Sequence, residues 1–321
     1  MGTLASSPAQ KTCLSGLTVA MAHNLLCSWE MREEERKLRH PKERRLFVAF
    51  AILNLLLMVT AISLALKGAD WLEAHPLLNR YRGPIRALAI AAITGPAVIV
   101  FLRNTRHALM RGKSIAISSQ QLPEIYAILQ HHCEKLGMAY VPELYFTDSG
   151  LKKAAHAYRS WKCDYIVLSS QFFQPDLQPM RPVFAFWIGR ELGRLRLHHS
   201  SWPTEFLIAY VDKIPHLSNS LRRVFCYSED RYGAYLAPEG LPALVGLASG
   251  RLMLPRIDIS EYMNEVQRYG GVWASLGLMT EPEPTTRQRI RALIDAGLWK
   301  PEFPQAQLQE PEAPRVKTAA P

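Results

Sequence analysis

The stretch from Leu46 to Leu66 constrains the fold most, because it carries no charged side chain and its polar members are Asn54, Thr60 and Ser63. A transmembrane helix needs about 20 predominantly apolar residues to cross a hydrocarbon core of roughly 30 Å. We therefore predict that residues 46-66 form a transmembrane helix. The alternative is a helix buried in the core of a soluble domain, which seldom needs such length.

A second apolar run extends from Ala87 to Leu102 and is interrupted by Gly95 and Pro96. Arg86 and Arg103 bracket this run, and arginines at the ends of a span can extend their charged groups to the two membrane surfaces. We predict a second span over about residues 87-102. A re-entrant helix or a core helix is the alternative for this shorter run.

Basic residues flank the two predicted spans on the same side. Those before the first span are Arg44 and Arg45, and those after the second are Arg103, Arg106, Arg111 and Lys113. The connecting loop also carries basic residues, so the bias is modest, but the positive-inside rule places both termini and the following domain in the cytoplasm. The cysteines are scattered without a CxxC motif, which fits a reducing compartment.

The formal net charge of the chain is +10 at pH 7. In a protein with membrane segments, an excess of this kind is typical of the charges that flank the spans. We therefore predict the lipid bilayer as a partner and no nucleic acid.

The composition divides the chain into four parts. Residues 1-45 form an N-terminal segment that ends in a charged juxtamembrane helix, and residues 46-103 form the membrane hairpin. Residues 104-300 form a mainly helical α+β domain, with helices predicted near 122-136, 184-199, 219-236, 261-278 and 285-296 and strands near 144-147 and 165-168. Residues 301-321 are rich in proline and are predicted to be disordered.

The helix predicted at 184-199 contains the sequence Arg190-Glu191-Leu192-Gly193-Arg194. Positions 190 and 194 are one helical turn apart and point to the same side. With histidine at both positions this would be the H-E-x-x-H motif, in which two imidazoles bind zinc and the glutamate is the general base. A guanidinium has no lone pair to donate to a metal ion, so the sequence has the spacing of a zinc peptidase without its ligands.

Several segments, taken in order, resemble the membrane-anchored zinc metallopeptidases of the HtpX and CAAX-prenyl-protease superfamily. A basic hairpin of spans precedes AAHAYRSWKCDYIVLSSQFF, which looks like the strand region of the family. RELGRLRLHH then aligns with the zinc-binding helix, SEDRYGAYLA with the helix of the third ligand, and EPEPTTRQRIRALIDAG with the closing motif. The resemblance covers roughly residues 40 to 300 and implies a gluzincin-like peptidase domain.

The resemblance also implies roles for individual residues. The three zinc-ligand positions of the family fall on Arg190, Arg194 and Cys226, so no cofactor is predicted although the family binds zinc. Glu191 occupies the position of the general base, and Asp230 occupies a position that supports a ligand from the second shell of the metal. The strand around Tyr158 to Leu168 corresponds to the edge strand that holds an extended substrate in the family.

Two interpretations of these residues remain open. Arg190 and Arg194 either replace the metal electrostatically, with Glu191 and Asp230 as counter-ions, or they face solvent or an acidic partner. Cys226 is either a small buried residue or a soft metal ligand together with histidines such as His156, His198 or His199. His131 and His132 are predicted to be surface residues.

From these observations we predict a membrane-tethered pseudopeptidase that binds or scaffolds polypeptides, or another membrane protease, without hydrolysis. The alternative is an active membrane metalloendopeptidase with a rebuilt site, in which Glu191 is the general base and Cys226 and histidines hold a metal ion. A purely structural membrane protein is a third class.

Overall fold

The structure is a computed structural model that describes residues 33–73, 82–148, 153–159, 163–173, 177–214, 217–250, 253–268, 271, 277 and 281–299. The predictions for residues 1-30 and for the proline-rich tail 301-321 lie outside these described residues. Of the predicted helix at 261-278, residues 269, 270, 272–276 and 278 also lie outside them.

Two long helices correspond to the predicted membrane hairpin. After a short helix α1 (Glu33–Leu38), helix α2 covers Glu43–Glu73 and helix α3 covers Arg82–Gly112, with Pro96 inside α3. The two long helices pack against each other, and both are long and apolar enough to cross a membrane. They extend beyond the predicted spans at both ends, because charged residues continue the helices outside the apolar stretches.

The apolar surface of these two helices is largely uncovered. Only 11% of the most hydrophobic window of each helix is buried inside the protein. Leu56 is 59% exposed and Phe101 is 67% exposed. A core helix of a soluble domain would have these side chains buried, so the exposure favours an apolar solvent around α2 and α3.

The domain contains a small mixed sheet with the strand order β1-β2-β4-β3. Its strands are β1 (Ile115–Ile117), β2 (Glu143–Thr147), β3 (Ala155–Arg159) and β4 (Asp164–Ser169). β2 and β4 are parallel, with Tyr145 opposite Val167, whereas β3 lies antiparallel to β4, with Ala157 opposite Ile166. β4 is buried along its whole length, which explains its run of apolar residues, and β3 lies at the edge of the sheet.

Helices cover this sheet and complete the core. They are α4 (Pro123–Leu136), α5 (Leu177–Arg196), α6 (Trp202–Leu207), α7 (Leu217–Leu236), α8 (Ala243–Ser249), α9 (Ile259–Arg268) and α10 (Thr286–Asp295). α5 and α7 form the most extensive helix pair, and α4, β3 and α8 also pack on α5. α5 therefore lies at the centre of the domain, with both sides covered.

The predicted elements agree with the structure at 122-136, 144-147, 165-168, 219-236 and 285-296, within a few residues. α5 begins earlier than predicted because it continues through Pro182. The prediction that both His131 and His132 are surface residues is wrong for His132, which is buried and hydrogen-bonded to the Ala185 carbonyl. The strand predicted around Tyr158 to Leu168 is divided into β3 and β4, and the prediction that it lies at an edge is wrong for β4, which pairs with β2 on one side and β3 on the other. Edge strand β1 was not predicted, since short strands depend on pairing with distant residues.

Candidate functional site

Close approach of α5 and α7 brings the predicted site residues together. Gly193 on α5 lies against Tyr232 on α7, and a Cβ atom at position 193 would lie only 2.4 Å from the Tyr232 Cβ. A glycine at this position allows the two backbones to approach, so that Arg190 and Glu191 on α5 face Cys226, Glu229 and Asp230 on α7. All five of these side chains are buried.

Arg190 is the centre of the cluster and contacts three carboxylates. Its Nη1 pairs with Glu191, its Nη2 lies 2.8 Å from Glu229 Oε2, and its Nε lies 3.0 Å from Asp230 Oδ1. A guanidinium offers several donors in one plane, so a single arginine can serve several acids. The predicted counter-ion pairing with Glu191 and Asp230 is present, and Arg190 does not face solvent.

Glu191 has partners on both carboxylate oxygens. Oε1 pairs with Arg190, and Oε2 accepts a 2.7 Å hydrogen bond from the backbone N–H of Ala157 on β3. Arg194 Nε lies 3.2 Å from the same Oε2, an ion pair without hydrogen-bond geometry. Glu191 thus connects α5 to the edge strand of the sheet.

Glu229 connects the cluster, through His199, to Glu43 at the beginning of helix α2. Its Oε2 accepts a 2.9 Å hydrogen bond from Arg194 Nη2, and its Oε1 lies 3.1 Å from His199 Nδ1. His199 Nε2 lies 3.1 Å from Glu43 Oε1, and Ser228 donates a hydrogen bond to the other oxygen of Glu43. A continuous chain of polar contacts therefore extends from α5 to α2.

Asp230 connects the cluster to α10, near the end of the domain. Arg289 donates to Asp230 Oδ2 from Nε at 2.7 Å and to Oδ1 from Nη2 at 2.5 Å. The guanidinium carbons of Arg190 and Arg289 lie 5.6 and 5.5 Å from the ring centroid of Trp187, within the range of cation–π attraction. The two arginines share Asp230 and this indole.

We name these side chains the ion-pair cluster. Its carboxylates are Glu43, Glu191, Glu229 and Asp230, and its cations are Arg190, Arg194, Arg289 and, when protonated, His199. The partly exposed Arg39 also pairs with Glu43. Each buried carboxylate therefore has at least one cationic partner, which is the usual condition for burying several charges together.

The pKa shifts in the cluster favour its charged forms. Burial would raise the pKa of Glu229, but Arg194, Arg190 and His199 outweigh it and hold that pKa well below its ordinary value. Burial would likewise lower the pKa of His199, but Glu43 and Glu229 outweigh it and raise that pKa above 6.5. Arg190, stabilised by Glu191 and Glu229 against the cost of its burial, has a raised pKa.

Cys226 and the nearby histidines do not converge on one point. Cys226 is buried, as predicted, and burial raises the pKa of its thiol to about 11. Its sulfur accepts a 3.6 Å contact from Arg190 Nη2. His198 contacts Arg159 instead, and His199 lies between two glutamates. Within the described ranges, no group of three His, Cys, Asp or Glu side chains is arranged to hold a metal ion.

A cavity of about 340 Å³ lies between the ion-pair cluster and the long helices α2 and α3. Arg190, Arg194 and Glu229 line one side, and Phe50 and Val100 from the long helices line the other. His156 on β3 also lines it, and its Nδ1 has no hydrogen-bond partner in the described part of the chain. Burial, together with Arg194 and Lys153, holds the pKa of His156 well below 6.5, so this imidazole is neutral.

The sequence reasoning missed Glu229, Arg289 and Glu43 as members of the cluster. Glu229 directly precedes Asp230, and Arg289 lies in the closing motif, so both positions carried a signal that was not used. Glu43 lies in a segment dense in charge, where nothing in the sequence distinguishes a buried glutamate from an exposed one. His199 was considered only as a possible metal ligand together with Cys226, and not as a partner of glutamates.

Comparison with models of protein families, with curated proteins and with solved structures gives no match to this chain. The resemblance to the HtpX and CAAX-prenyl-protease superfamily therefore rests on the sequence motifs alone.

Proposed function

We propose that this chain is a membrane-tethered pseudopeptidase, which binds or scaffolds polypeptides or another membrane protein without hydrolysing them. The observation that carries the proposal is the state of Glu191 in the ion-pair cluster. The side chain at the general-base position is buried and engaged by Arg190, Arg194 and the Ala157 N–H.

Hydrolysis needs a water molecule next to a base that can accept its proton. In zinc peptidases the metal ion makes that water acidic and stabilises the charge that develops on the substrate. Here guanidinium groups occupy the two ligand positions of the resembled motif and pair with the base itself. Glu191 would have to lose several partners before it could accept a proton, so the site supports a structural role for it.

Polypeptide binding is supported by the cavity rather than by the edge of β3. The central Ala157 N–H on that edge already donates to Glu191, so an added strand would have to displace this hydrogen bond. The cavity instead combines an apolar wall from the long helices with the neutral His156 and the paired charges of the cluster. This lining suits a short segment that carries both apolar and polar groups.

Membrane attachment is supported by the length, composition and exposure of α2 and α3. With the basic residues at Arg44, Arg45 and Arg106 on one side, the positive-inside rule places the domain and both termini in the cytoplasm. The gluzincin-like character of the domain is part of the proposal and follows from the motif resemblance.

The proposal is tested by measuring the binding of fluorescent unfolded casein to the full-length protein in detergent micelles, and then the length of the recovered casein. We expect saturable binding and intact casein. Ala209 is buried and lines the cavity, so Ala209→Trp fills it and should weaken binding several-fold.

Ala127→Trp is the matched control, because Ala127 is exposed on α4 and a tryptophan there leaves the cavity open. Binding that is equally affected by both variants would remove the cavity from the proposal. Shortened casein with the unaltered protein would contradict the absence of hydrolysis.

A further inference from the structure

Residues 202 to 214 follow helix α5 in the chain and contact both long helices, α2 and α3, far from the helix ends. Asn54 on α2 donates to the Phe206 carbonyl at 3.2 Å and accepts from the Tyr210 N–H at 2.8 Å. The Tyr210 hydroxyl donates to the Ala92 carbonyl on α3 at 2.6 Å.

These contacts place the segment at membrane depth. At about 1.5 Å per residue, Asn54 lies roughly 12 Å beyond Leu46, where the apolar stretch of α2 begins. Ala92 lies about 15 Å from Leu102, at the corresponding end of α3. Both distances are near half of a hydrocarbon core of roughly 30 Å.

The backbone of the segment satisfies the requirement that lipid imposes on polar groups. Irregular backbone is tolerated at membrane depth where its N–H and C=O groups have partners inside the protein. Turns supply most of these bonds, including Asp212 N–H to Ile208 C=O and Lys213 N–H to Tyr210 C=O. The Asn54 side chain accepts a hydrogen bond from the Tyr210 N–H, which lies between helix α6 and the helical turn at Val211–Lys213.

Side chains of the segment divide between two sides. Its charged residues, Glu205, Asp212 and Lys213, line the cavity, where Glu205 pairs with Arg103 and Asp212 pairs with Arg222. Lys213 also pairs with Asp212, and its long side chain is 59% exposed, so its ammonium group can extend to water. The large apolar side chains that remain exposed are outside the cavity lining: Trp202 is 44% exposed, Leu207 is 43% exposed and Ile214 is 40% exposed. Ionisable groups facing an internal cavity and apolar groups facing outward are typical of an element in contact with lipid.

We propose that residues 202 to 214 form a third membrane-embedded element, a re-entrant segment that enters the cytoplasmic leaflet beside α2 and α3. The partner of its exposed apolar side is lipid. Trp202, Leu207 and Ile214 contact acyl chains and continue the exposed apolar surface of α2 and α3. The proposal rests on the membrane anchorage in the proposed function, since without the anchor there is no leaflet to enter.

The experiment uses full-length protein reconstituted into phosphatidylcholine vesicles, with one nitroxide label at an introduced cysteine. The cysteines at positions 13 and 27 and the part-buried Cys163 are first replaced by serine, and the background is checked for residual label. The labelled sites are Leu207→Cys and Ile214→Cys, with Val59→Cys on the exposed apolar side of α2 and Glu124→Cys on exposed α4 as references. Relaxation by oxygen and by a water-soluble nickel chelate is measured at each site.

We expect the ratio of oxygen to nickel accessibility at Leu207 and Ile214 to approach that at Val59 and to exceed that at Glu124 several-fold. If both segment sites resemble Glu124 while Val59 remains protected from nickel, the re-entrant segment is overturned and the anchor stands. If Val59 also resembles Glu124, the membrane anchor itself is overturned.

Discussion

Removing Arg190 should destabilise the protein strongly. In Arg190→Met the carboxylates of Glu191, Glu229 and Asp230 lose a cation that lies 2.8 Å from Glu229 and 3.0 Å from Asp230. Arg194, Arg289 and His199 remain as partners. The three carboxylates that Arg190 contacts are then left with two arginines and with His199, which Glu229 shares with Glu43.

The magnitude follows from the cost of an unpaired buried charge. Removing one partner of a buried ion pair typically costs about 3–5 kcal/mol, a large part of a total stability of about 5–15 kcal/mol. At about 2–4 °C per kcal/mol for a domain of this size, Tm should fall by roughly 6–20 °C. Thermal unfolding of the full-length protein in detergent micelles, followed by near-ultraviolet circular dichroism, measures this change.

Arg181→Met is the matched control, because Arg181 lies on the same helix and is exposed; its Tm should change by no more than a few degrees. The double variant Arg190→Met/Glu191→Gln removes one charge of each sign and should recover part of the loss. An unchanged Tm for Arg190→Met would show that the ion pairs of Arg190 with its three carboxylates do not stabilise the fold.

Two further changes test other parts of the cluster. Because its pKa is raised above 6.5, His199 contributes stability that is full below about pH 6.5 and is lost as pH rises through the pKa in the folded state. His199→Gln should therefore flatten the fall in Tm above about pH 6.5, and a curve parallel to that of the unaltered protein would exclude this role. Gly193→Ala brings a Cβ to 2.4 Å from Tyr232 and should lower the free energy of unfolding, measured by denaturant titration, by about 1–3 kcal/mol. Gly95→Ala is the control, because its Cβ meets nothing within 4 Å, and it should not destabilise the protein. Equal effects of the two variants would disprove the close contact between α5 and α7.

The two long apolar helices and the main helices of the domain could be predicted from the sequence because their signals are local. Leu46 to Leu66 is apolar throughout, and the capping box at Thr285 and Gln288 marks the beginning of α10. The pairing of Arg190 with Glu191 and Asp230 could also be predicted. The motif spacing places Arg190 and Glu191 on one helix, and the resemblance suggests that Asp230 faces that helix.

The rest depends on contacts between distant residues. Arg289 reaches Asp230 across 59 positions and Glu43 reaches His199 across 156 positions, and no pattern in either segment specifies its partner. In residues 202 to 214, the Trp202-Pro203 pair is typical of the beginning of a loop, and the contacts with Asn54 and Ala92 join positions 118 to 156 residues apart. His132 was assigned to the surface because its burial comes from packing of α4 on α5.

The central claim is that Glu191 is a paired structural residue and that the chain does not hydrolyse polypeptides. Metal analysis of the full-length protein, purified without chelators, combined with a casein-cleavage assay on the unaltered chain and on Glu191→Gln, tests it most directly. We expect substoichiometric zinc and no casein cleavage by either protein. Stoichiometric zinc together with cleavage that is lost in Glu191→Gln would contradict it.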